Sequence, residues 1–182
     1  NGEVYTEVWK FVTLFQCGLC PLGGPYDNAV WGEGPYPANI MLVGMNPGMN
    51  EQREGRPFIG RAGQVLNQAL KLAGLNRDEL YLTNWVKHVT PTRREPIPAE
   101  TAACRGYFEE ELVRVQPKVV VLMGAYAFRE IFPNLPVGKA SGLWRFKDGR
   151  AWVATYHPSA LARGRMDLLP TMVDVFRNVK DG

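Results

Sequence analysis

The sequence predicts an α/β protein: a three-layer α/β/α sandwich with a central, mostly parallel, four-stranded sheet. Short aliphatic runs without a helical period, such as "ANIMLV" and "KVVVLMG", are typical of buried strands. Segments with apolar residues at spacings of three and four lie between these runs and indicate amphipathic helices. Strands that alternate with helices along a chain pair in parallel and carry helices on both faces of the sheet.

The predicted elements begin with a short amphipathic helix over residues 5–16 and a strand over 39–44. The segment "GRAGQVLNQALKLAGL" then predicts a helix that ends at Gly74. Its apolar positions, which have the spacing of a buried face, are Val65, Leu66, Ala69, Leu70, Leu72 and Ala73.

The second half continues the alternation. "ELYLTNWV" predicts a second strand, and a polar connection leads to a helix over residues 99–115. "KVVVLMG" is a third strand, followed by the helix "AYAFREIF". "WRFKDGRAWVATYHP" predicts a hairpin that turns at Asp148 and Gly149, with a final helix from about residue 168.

Composition limits the class of protein. The 182 residues, 46% hydrophobic and 21% charged, suit one globular domain spanning residues 1–182. No apolar run approaches the roughly 20 residues of a membrane span, and the first residues lack a signal-peptide pattern. We expect a cytoplasmic protein without a membrane partner, nucleoid-associated if bacterial, and a monomer. The net charge of +3 favours an anionic partner.

Polar side chains lie at or near the ends of three predicted strands, namely Asn46, Asn84 and His157. The carboxyl ends of parallel strands meet at one edge of a sheet, where α/β proteins bind ligands. The carboxamide of Asn84 offers a donor and an acceptor for the edge of a base, although an Asn there is often a turn former. His157 has the alternative of a plain surface residue.

Phe58 lies in "RPFIG", between a proline and a glycine. Most phenylalanines are core residues, but in this loop the ring would also serve as a stacking platform for a flat ligand. An enzyme that acts on a flipped-out base needs such a ring, together with an amide that reads the base edge.

Six segments carry a resemblance to a known family: "CGLC", "GRPFIGRAGQVLN", "YLTNWVKH", "ETAACRGYFEEEL", "PKVVVLMGAYA" and "YHPSAL". On these segments nearly the whole chain resembles the uracil-DNA glycosylase superfamily, and within it the iron–sulfur branch called family 4. One segment departs from that branch. Residues 44–48, "GMNPG", match the loop of the single-strand-selective monofunctional uracil-DNA glycosylases instead.

The resemblance implies a monofunctional DNA-repair enzyme that hydrolyses the N-glycosidic bond of uracil in DNA. It assigns Asn46 to positioning the attacking water, since a neutral amide orients water but does not remove its proton. It assigns His157 to a hydrogen bond on uracil O2 that stabilises the leaving base anion. Phe58 would stack on the base and Asn84 would read O4 and N3–H.

The loop itself completes the predicted base site, with Gly44, Met45 and Gly48 as substrate-binding residues. The strictest uracil enzymes of the superfamily carry a tyrosine at the position of Gly48, where its ring blocks the side of the pyrimidine C5. A pocket left open at C5 cannot strongly reject a substituent. The resemblance therefore implies activity on 5-substituted uracils such as 5-hydroxymethyluracil.

The three cysteines predict a metal site. Cys17 and Cys20 have C-x-x-C spacing, which in a cytosolic chain indicates metal or redox chemistry. Cys104 alone has the alternative of a small buried residue. The resemblance implies a [4Fe-4S] cluster held by Cys17, Cys20, His88 and Cys104, with His88 where the branch has a cysteine. Zinc is the rival, since Cys3His is a common zinc set. The same "VKH" occurs in relatives that capture uracil-DNA covalently, but their inserted basic loop is missing here, so we expect no capture.

The segment "SALARGR" after His157 lies where family members contact the DNA duplex. Ser159 belongs to this predicted surface, Leu161 is the predicted wedge beside the flipped base, and Arg163 and Arg165 are predicted to bind phosphates. Arg93 and Arg94 are further candidates. For each arginine the alternative is a solvated basic face.

Three functions remain open on the sequence. The first is a glycosylase acting on uracil in DNA. The second is a non-catalytic module that binds damaged or single-stranded DNA in the same pocket, and the third is an unrelated enzyme acting on a free nucleoside. A binding module has no need of a water-positioning amide, so Asn46 favours the glycosylase.

Overall fold

The computed structural model of the chain describes residues 17, 20, 22, 29–135 and 139–182. The helix predicted over residues 5–16 lies outside this part. Five strands form one sheet in the order β2-β1-β3-β5-β4. They are β1 (Ile40–Gly44), β2 (Tyr81–Asn84), β3 (Val119–Met123), β4 (Trp144–Lys147) and β5 (Arg150–Thr155).

The sheet is mostly parallel, as predicted, but it has five strands and not four. All neighbours pair in parallel except β4, which is antiparallel to β5 at the edge of the sheet. The turn between them has positive φ at Asp148 and Gly149, 52° and 75°, as a two-residue hairpin of this type requires. This turn folds β4 back onto β5, so the first strand of the predicted hairpin joins the sheet.

Six helices accompany the strands within the described residues: α1 (Met49–Glu54), α2 (Arg61–Ala73), α3 (Pro98–Val115), α4 (Ala125–Ile131), α5 (Pro158–Ala162) and α6 (Leu169–Asp181). The sequence predicted four of these. It missed α1 and α5, which at six and five residues are too short to show a helical period. None of the described helices is long and apolar enough to span a membrane.

Two apolar clusters on opposite faces of the sheet make the three layers. On β3, Val121 faces the cluster that contains α2 and α6, whereas Val120 and Leu122 face the cluster that contains α3 and α4. This alternation follows from the two-residue period of a strand. Leu72, predicted on the buried face of α2, is 52% exposed and belongs to neither cluster.

A buried ion pair ties the sheet to α3. Lys87 lies just beyond β2 and is fully buried. Its ammonium donates to Thr83 Oγ1 at 2.7 Å, to the Asn84 carbonyl at 2.6 Å, and to the buried carboxylate of Glu111 on α3. Burial, reinforced by the nearby Glu111 carboxylate, raises the pKa of Tyr81.

The order of the strands in the sheet determines where a ligand-binding crevice forms. Because β1 lies between β2 and β3, the crossovers change direction at β1. Such a switch point opens a crevice at the carboxyl ends of the strands, where open α/β sheets bind ligands.

Candidate active site

The carboxyl ends of the parallel strands open onto a cavity of about 620 Å³. Six of the residues predicted for catalysis and base binding line it: Met45, Asn46, Gly48, Phe58, Asn84 and His157. Strand register explains the convergence, since Gly44 pairs with Asn84, and Met123 pairs with Thr155, two residues before His157. The strand ends thus bring together side chains that are far apart in sequence.

Asn84 is the most buried polar group of the cavity. Its side chain is 2% exposed, and its Oδ1 accepts no hydrogen bond from any residue that the structure describes. Leaving a buried acceptor without a donor costs about 1–3 kcal/mol. An N–H group of a bound ligand would remove this cost.

Gly44 leaves the space in which Asn84 and Phe58 approach each other. A Cβ at Gly44 would lie 2.5 Å from Asn84 Oδ1 and 2.7 Å from Phe58 Cζ. Any larger residue would push one of these two side chains out of the cavity wall. The contribution of Gly44 is therefore steric: the absence of a side chain lets Asn84 and Phe58 lie next to each other.

Phe58 has an unusual backbone, with φ at 52°. Such strain costs about 1–3 kcal/mol and persists only where the surroundings enforce it. Arg77 supplies part of that enforcement, because its guanidinium donates to the carbonyls of Phe58 at 2.8 Å and Pro57 at 2.9 Å. Gly63 on α2 leaves the room that this conformation needs, since a Cβ there would lie 2.0 Å from the Phe58 carbonyl oxygen.

The Phe58 ring lies between the core and the cavity. It belongs to the core cluster around α2 and also lines the cavity. Its centroid lies 6.2 Å from that of the His157 ring, at an interplanar angle of 38°. A flat ligand in the cavity would therefore meet an aromatic wall of fixed orientation.

His157 is the N-cap residue of α5. Its Nδ1 accepts a hydrogen bond from the backbone N–H of Ser159 at 3.0 Å. Burial, with a smaller contribution from the nearby Arg163 charge, lowers the pKa of His157 to about 4. The imidazole is therefore neutral near pH 7, and because Nδ1 is an acceptor, its proton is on Nε2.

The 44–48 loop is held from two sides. The backbone N–H groups of Trp85 and Val86 donate to the carbonyls of Gly44 and Met45 at 3.0 and 2.8 Å. On the other side, the Glu51 carboxylate accepts from the Gly48 N–H at 3.3 Å and from the Gly60 N–H at 2.9 Å. Asn46, half-buried between these anchors, directs Nδ2 towards Thr90 Oγ1 and the Pro47 carbonyl, each at 3.4 Å.

The structure divides the predicted DNA-contacting residues. Ser159 and Arg163 line the cavity, and Arg165 is exposed and paired with Asp167. The prediction that Leu161 is a wedge is wrong, because Leu161 is fully buried. The reason is α5, whose turn directs this side chain into the core beside α2 and α6.

Arg94 is likewise not free to bind phosphate as predicted. Its guanidinium forms a two-pronged ion pair with Glu100, at 2.7 and 2.9 Å. Arg93 is exposed and lines the cavity, so it remains a candidate.

The four predicted metal ligands are mostly buried. Cys17, His88 and Cys104 are 4%, 1% and 2% exposed, and Cys20 is partly buried. Cys17 Sγ lies 3.0 Å from the Tyr107 hydroxyl, and all three thiols contribute, after burial, to raising the pKa of Tyr107. Burial raises the pKa of the Cys104 thiol, and the backbone of Lys87, next to His88, opposes this rise.

This donor set fits a cluster or zinc in its chemistry and burial. Three free thiols and an imidazole are ligands for either group. Within the part of the chain that the structure describes, no three His, Cys, Asp or Glu side chains stand in the arrangement of metal ligands. The thiols thus gather around Tyr107 without forming a closed ligand shell.

Several cavity residues were missed by sequence reasoning, namely Glu51, Thr90, Met123, Gly124 and Tyr126 around the pocket, and Arg77 behind it. For the segment after β3 a signal existed, because "KVVVLMG" ends in glycine as "ANIMLVG" does. For Thr90 and Arg77 no signal existed, since each acts through contacts distant in sequence.

Comparison with known proteins identifies the fold and its relatives. Residues 31–179 match the family model of the Uracil DNA glycosylase superfamily. A Type-4 uracil-DNA glycosylase from Sulfurisphaera tokodaii is 38% identical over 157 residues, which are 81% of this chain and 71% of that protein. One from Thermotoga maritima is 35% identical over 165 residues, 87% of this chain and 84% of the relative.

A solved structure agrees with the fold. The solution NMR structure of a candidate uracil DNA glycosylase from Methanosarcina acetivorans superimposes with a TM-score of 0.55 at 13% identity. The match covers 84% of this chain and 97% of that one. At this identity the likeness shows the fold alone.

The neutral state of His157 leads to a testable pH dependence. We expect its ring to stay in the Nε2–H form from pH 8 to about pH 5 and to titrate near pH 4. An unfolded histidine titrates near pH 6.5. The folded ring binds its proton less readily, so its contribution to stability is complete above pH 6.5 and declines as the pH falls towards 4.

Nitrogen-15 NMR of the ring measures this directly. The chain has two histidines, so His157→Gln identifies the signal. A midpoint near 6.5, or a proton on Nδ1, would contradict the assignment.

Proposed function

The chain belongs to the uracil DNA glycosylase superfamily, and on this premise we propose that it hydrolyses the N-glycosidic bond of uracil in DNA as a repair enzyme. The observation that carries the proposal is the buried Oδ1 of Asn84, a residue of the cavity wall, which has no hydrogen-bond donor among the residues that the structure describes. Uracil presents an N–H at N3 that suits this oxygen, and a carbonyl at C4 that suits the amide N–H of the same side chain. Cytosine lacks the N3 hydrogen and would leave Oδ1 unsatisfied.

The target base reaches this pocket by leaving the DNA stack. Phe58, held by Arg77 and Gly63, offers its face to the flipped base. Arg163, with Ser159 and the exposed Arg93, forms the proposed rim that contacts the phosphates, whereas Arg165 is paired with Asp167. The fixed ring and the Asn84 amide together select a flat pyrimidine and orient it.

His157 acts on the leaving base. Since Nδ1 is occupied by the Ser159 N–H, the Nε2–H is free to donate to uracil O2. Negative charge develops on this oxygen as the bond to the sugar breaks, and a donor already in place stabilises that charge without reorganisation. Removing His157 should lower the rate by roughly 10²–10³.

Asn46 acts on the water. The bond to the base breaks ahead of water attack, so the sugar becomes electron-poor and needs an oriented water more than a strong base. Among the described residues that line the cavity there is no lysine, so no amine is available for a Schiff base with the sugar. We therefore propose a monofunctional reaction that releases free uracil and leaves an unbroken abasic strand.

The role proposed for Asn46 is tested by substitution. Asn46→Ala should lower the single-turnover rate on a uracil-containing oligonucleotide by about 10²-fold, because the water is no longer oriented. Uracil release is followed by alkaline cleavage of the abasic product, and untreated samples should show no nick.

The control for this prediction is Asn178→Ala on the exposed face of α6, which should keep the parent rate. A rate for Asn46→Ala within a few-fold of the parent would remove the role given to Asn46. If the parent binds uracil-DNA tightly but releases no base, the non-catalytic binding module is the correct function.

We further propose that the enzyme accepts 5-substituted uracils, since Gly48 leaves the cavity open beside the loop. Gly48→Tyr should slow release of 5-hydroxymethyluracil at least about 10-fold more than release of uracil, through steric contact at C5. A Cβ at Gly48 also lies 2.8 Å from Glu51 Oε1, so any substitution displaces this carboxylate.

Gly48→Ala is therefore the matched control, because it displaces Glu51 without filling the C5 side. It should change both rates by the same factor. An unchanged ratio of the two rates in Gly48→Tyr would mean that position 48 does not control access to C5.

For the cofactor we propose a [4Fe-4S] cluster held by Cys17, Cys20, His88 and Cys104. When bound, it would supply a structural link between the segment of Cys17 and Cys20, the connection after β2, and α3. An imidazole ligand in place of a thiolate raises the reduction potential of a cluster. The burial of the donors and the gathering of the thiols around Tyr107 support this set.

Metal analysis of the purified protein tests the proposal. We expect iron and sulfide, a yellow-brown colour, retention of the cluster in His88→Cys, and its loss with lower thermal stability in Cys104→Ala. A colourless protein with one zinc per chain would assign the site to zinc.

A further inference from the structure

A one-way chain of hydrogen bonds leads from Asn46 into the turn before α3. Asn46 Nδ2 lies 3.4 Å from Thr90 Oγ1, and the Thr90 hydroxyl donates to the Arg94 carbonyl. Thr90 is 3% exposed, so water does not compete for its hydroxyl.

The direction of this chain follows from the chemistry of its members. A carbonyl oxygen only accepts, so the single hydroxyl proton of Thr90 is used on Arg94. Towards Asn46 the hydroxyl can then offer only a lone pair. The Pro47 carbonyl, also 3.4 Å from Nδ2, accepts as well. Both neighbours therefore require the NH₂ end of the amide.

The reversed amide would place Oδ1 against two acceptors and lose both hydrogen bonds. The carboxamide has one remaining end, Oδ1, and this end is the one that can accept a hydrogen from water. We propose that Thr90 is a positioning residue that selects this orientation of Asn46. The proposal rests on the proposed function, in which Asn46 orients the attacking water.

Thr90 is itself firmly placed. The backbone N–H groups of Arg93 and Arg94 donate to the carbonyls of Thr90 and Pro91, both at 3.2 Å, which closes the turn. The Arg94 guanidinium is paired with Glu100, whose carboxylate also accepts from the N–H of Ile97 at the start of α3. The Arg94 carbonyl, which accepts the hydrogen bond from Thr90, thus belongs to a residue that is anchored to α3.

A merely structural role for Thr90 would be to close this turn through the Arg94 carbonyl. The two roles differ in their coupling to Asn46. A structural defect lowers activity whatever stands at position 46, whereas a positioning residue has no further effect once the amide that it orients is gone.

The experiment is a double-mutant cycle under single-turnover conditions on uracil-containing DNA. Thr90→Val keeps the shape of the side chain but removes the hydroxyl, and we expect about a 10-fold slower chemical step with unchanged DNA affinity. Thr90→Ser restores the hydroxyl and should recover most of the rate. Thr90→Val combined with Asn46→Ala should be no slower than Asn46→Ala alone.

The outcomes separate the two proposals. If Asn46→Ala is slow and Thr90→Val is either harmless or slows it further by its own full factor, the positioning role is overturned and the proposed function stands. If Asn46→Ala keeps the parent rate, the role of Asn46 in the proposed function falls, and the positioning role falls with it.

A measurement on the parent protein covers the case in which Thr90→Val does not fold. The side-chain NH₂ of Asn46, identified by its loss in Asn46→Ala, should exchange with solvent more slowly than that of the exposed Asn178. Equal exchange would overturn the proposal, because an amide free to turn over is not held by Thr90.

Discussion

The rest of the structure depends on the buried ion pair between the Lys87 ammonium and the Glu111 carboxylate. It joins the end of β2 to α3 through Asn84 and Glu111, without access to water. Removing one partner of such a pair leaves an unpaired buried charge, at a cost of about 3–5 kcal/mol. The same few residues carry the amide that we propose recognises the base, and they lead directly to His88, one of the proposed cluster ligands. The recognition site and the proposed cluster are therefore built on one piece of backbone.

The cavity combines an uncharged reaction centre with a cationic rim. The groups proposed to act on the bond are an amide and a neutral imidazole, while the exposed Arg93 and Arg163 line the edge of the cavity. Phosphate contacts weaken with salt because they release counterions, whereas hydrogen bonds within a closed pocket are much less screened. Ionic strength should therefore act on DNA capture and leave bond cleavage nearly unchanged.

Much of this arrangement could be predicted from sequence because it follows from strand ends. The end of a predicted parallel strand marks where the next side chain reaches the ligand-binding edge of the sheet, and this rule located Asn46, Asn84 and His157. The rule failed where a side chain's surroundings depend on how the chain folds between elements. Leu161 looked like a loop residue because α5 is one turn long, and Arg94 looked free because its partner Glu100 lies across a turn. The roles of Thr90 and Arg77 required knowing which carbonyl each side chain reaches.

The close approach of Gly63 to the Phe58 carbonyl has a consequence for the history of the protein. With 2.0 Å between that oxygen and any added Cβ, position 63 cannot accept a side chain while the backbone at 58 keeps its strained form. At Gly44 an added Cβ would instead lie 2.7 Å from the ring of the same phenylalanine, so a side chain there would displace the ring. A lineage that loses one of these three residues loses the reason to keep the other two. Across descendants the three residues are therefore expected to be kept together. A descendant that no longer needs the proposed base recognition should show substitutions at these positions.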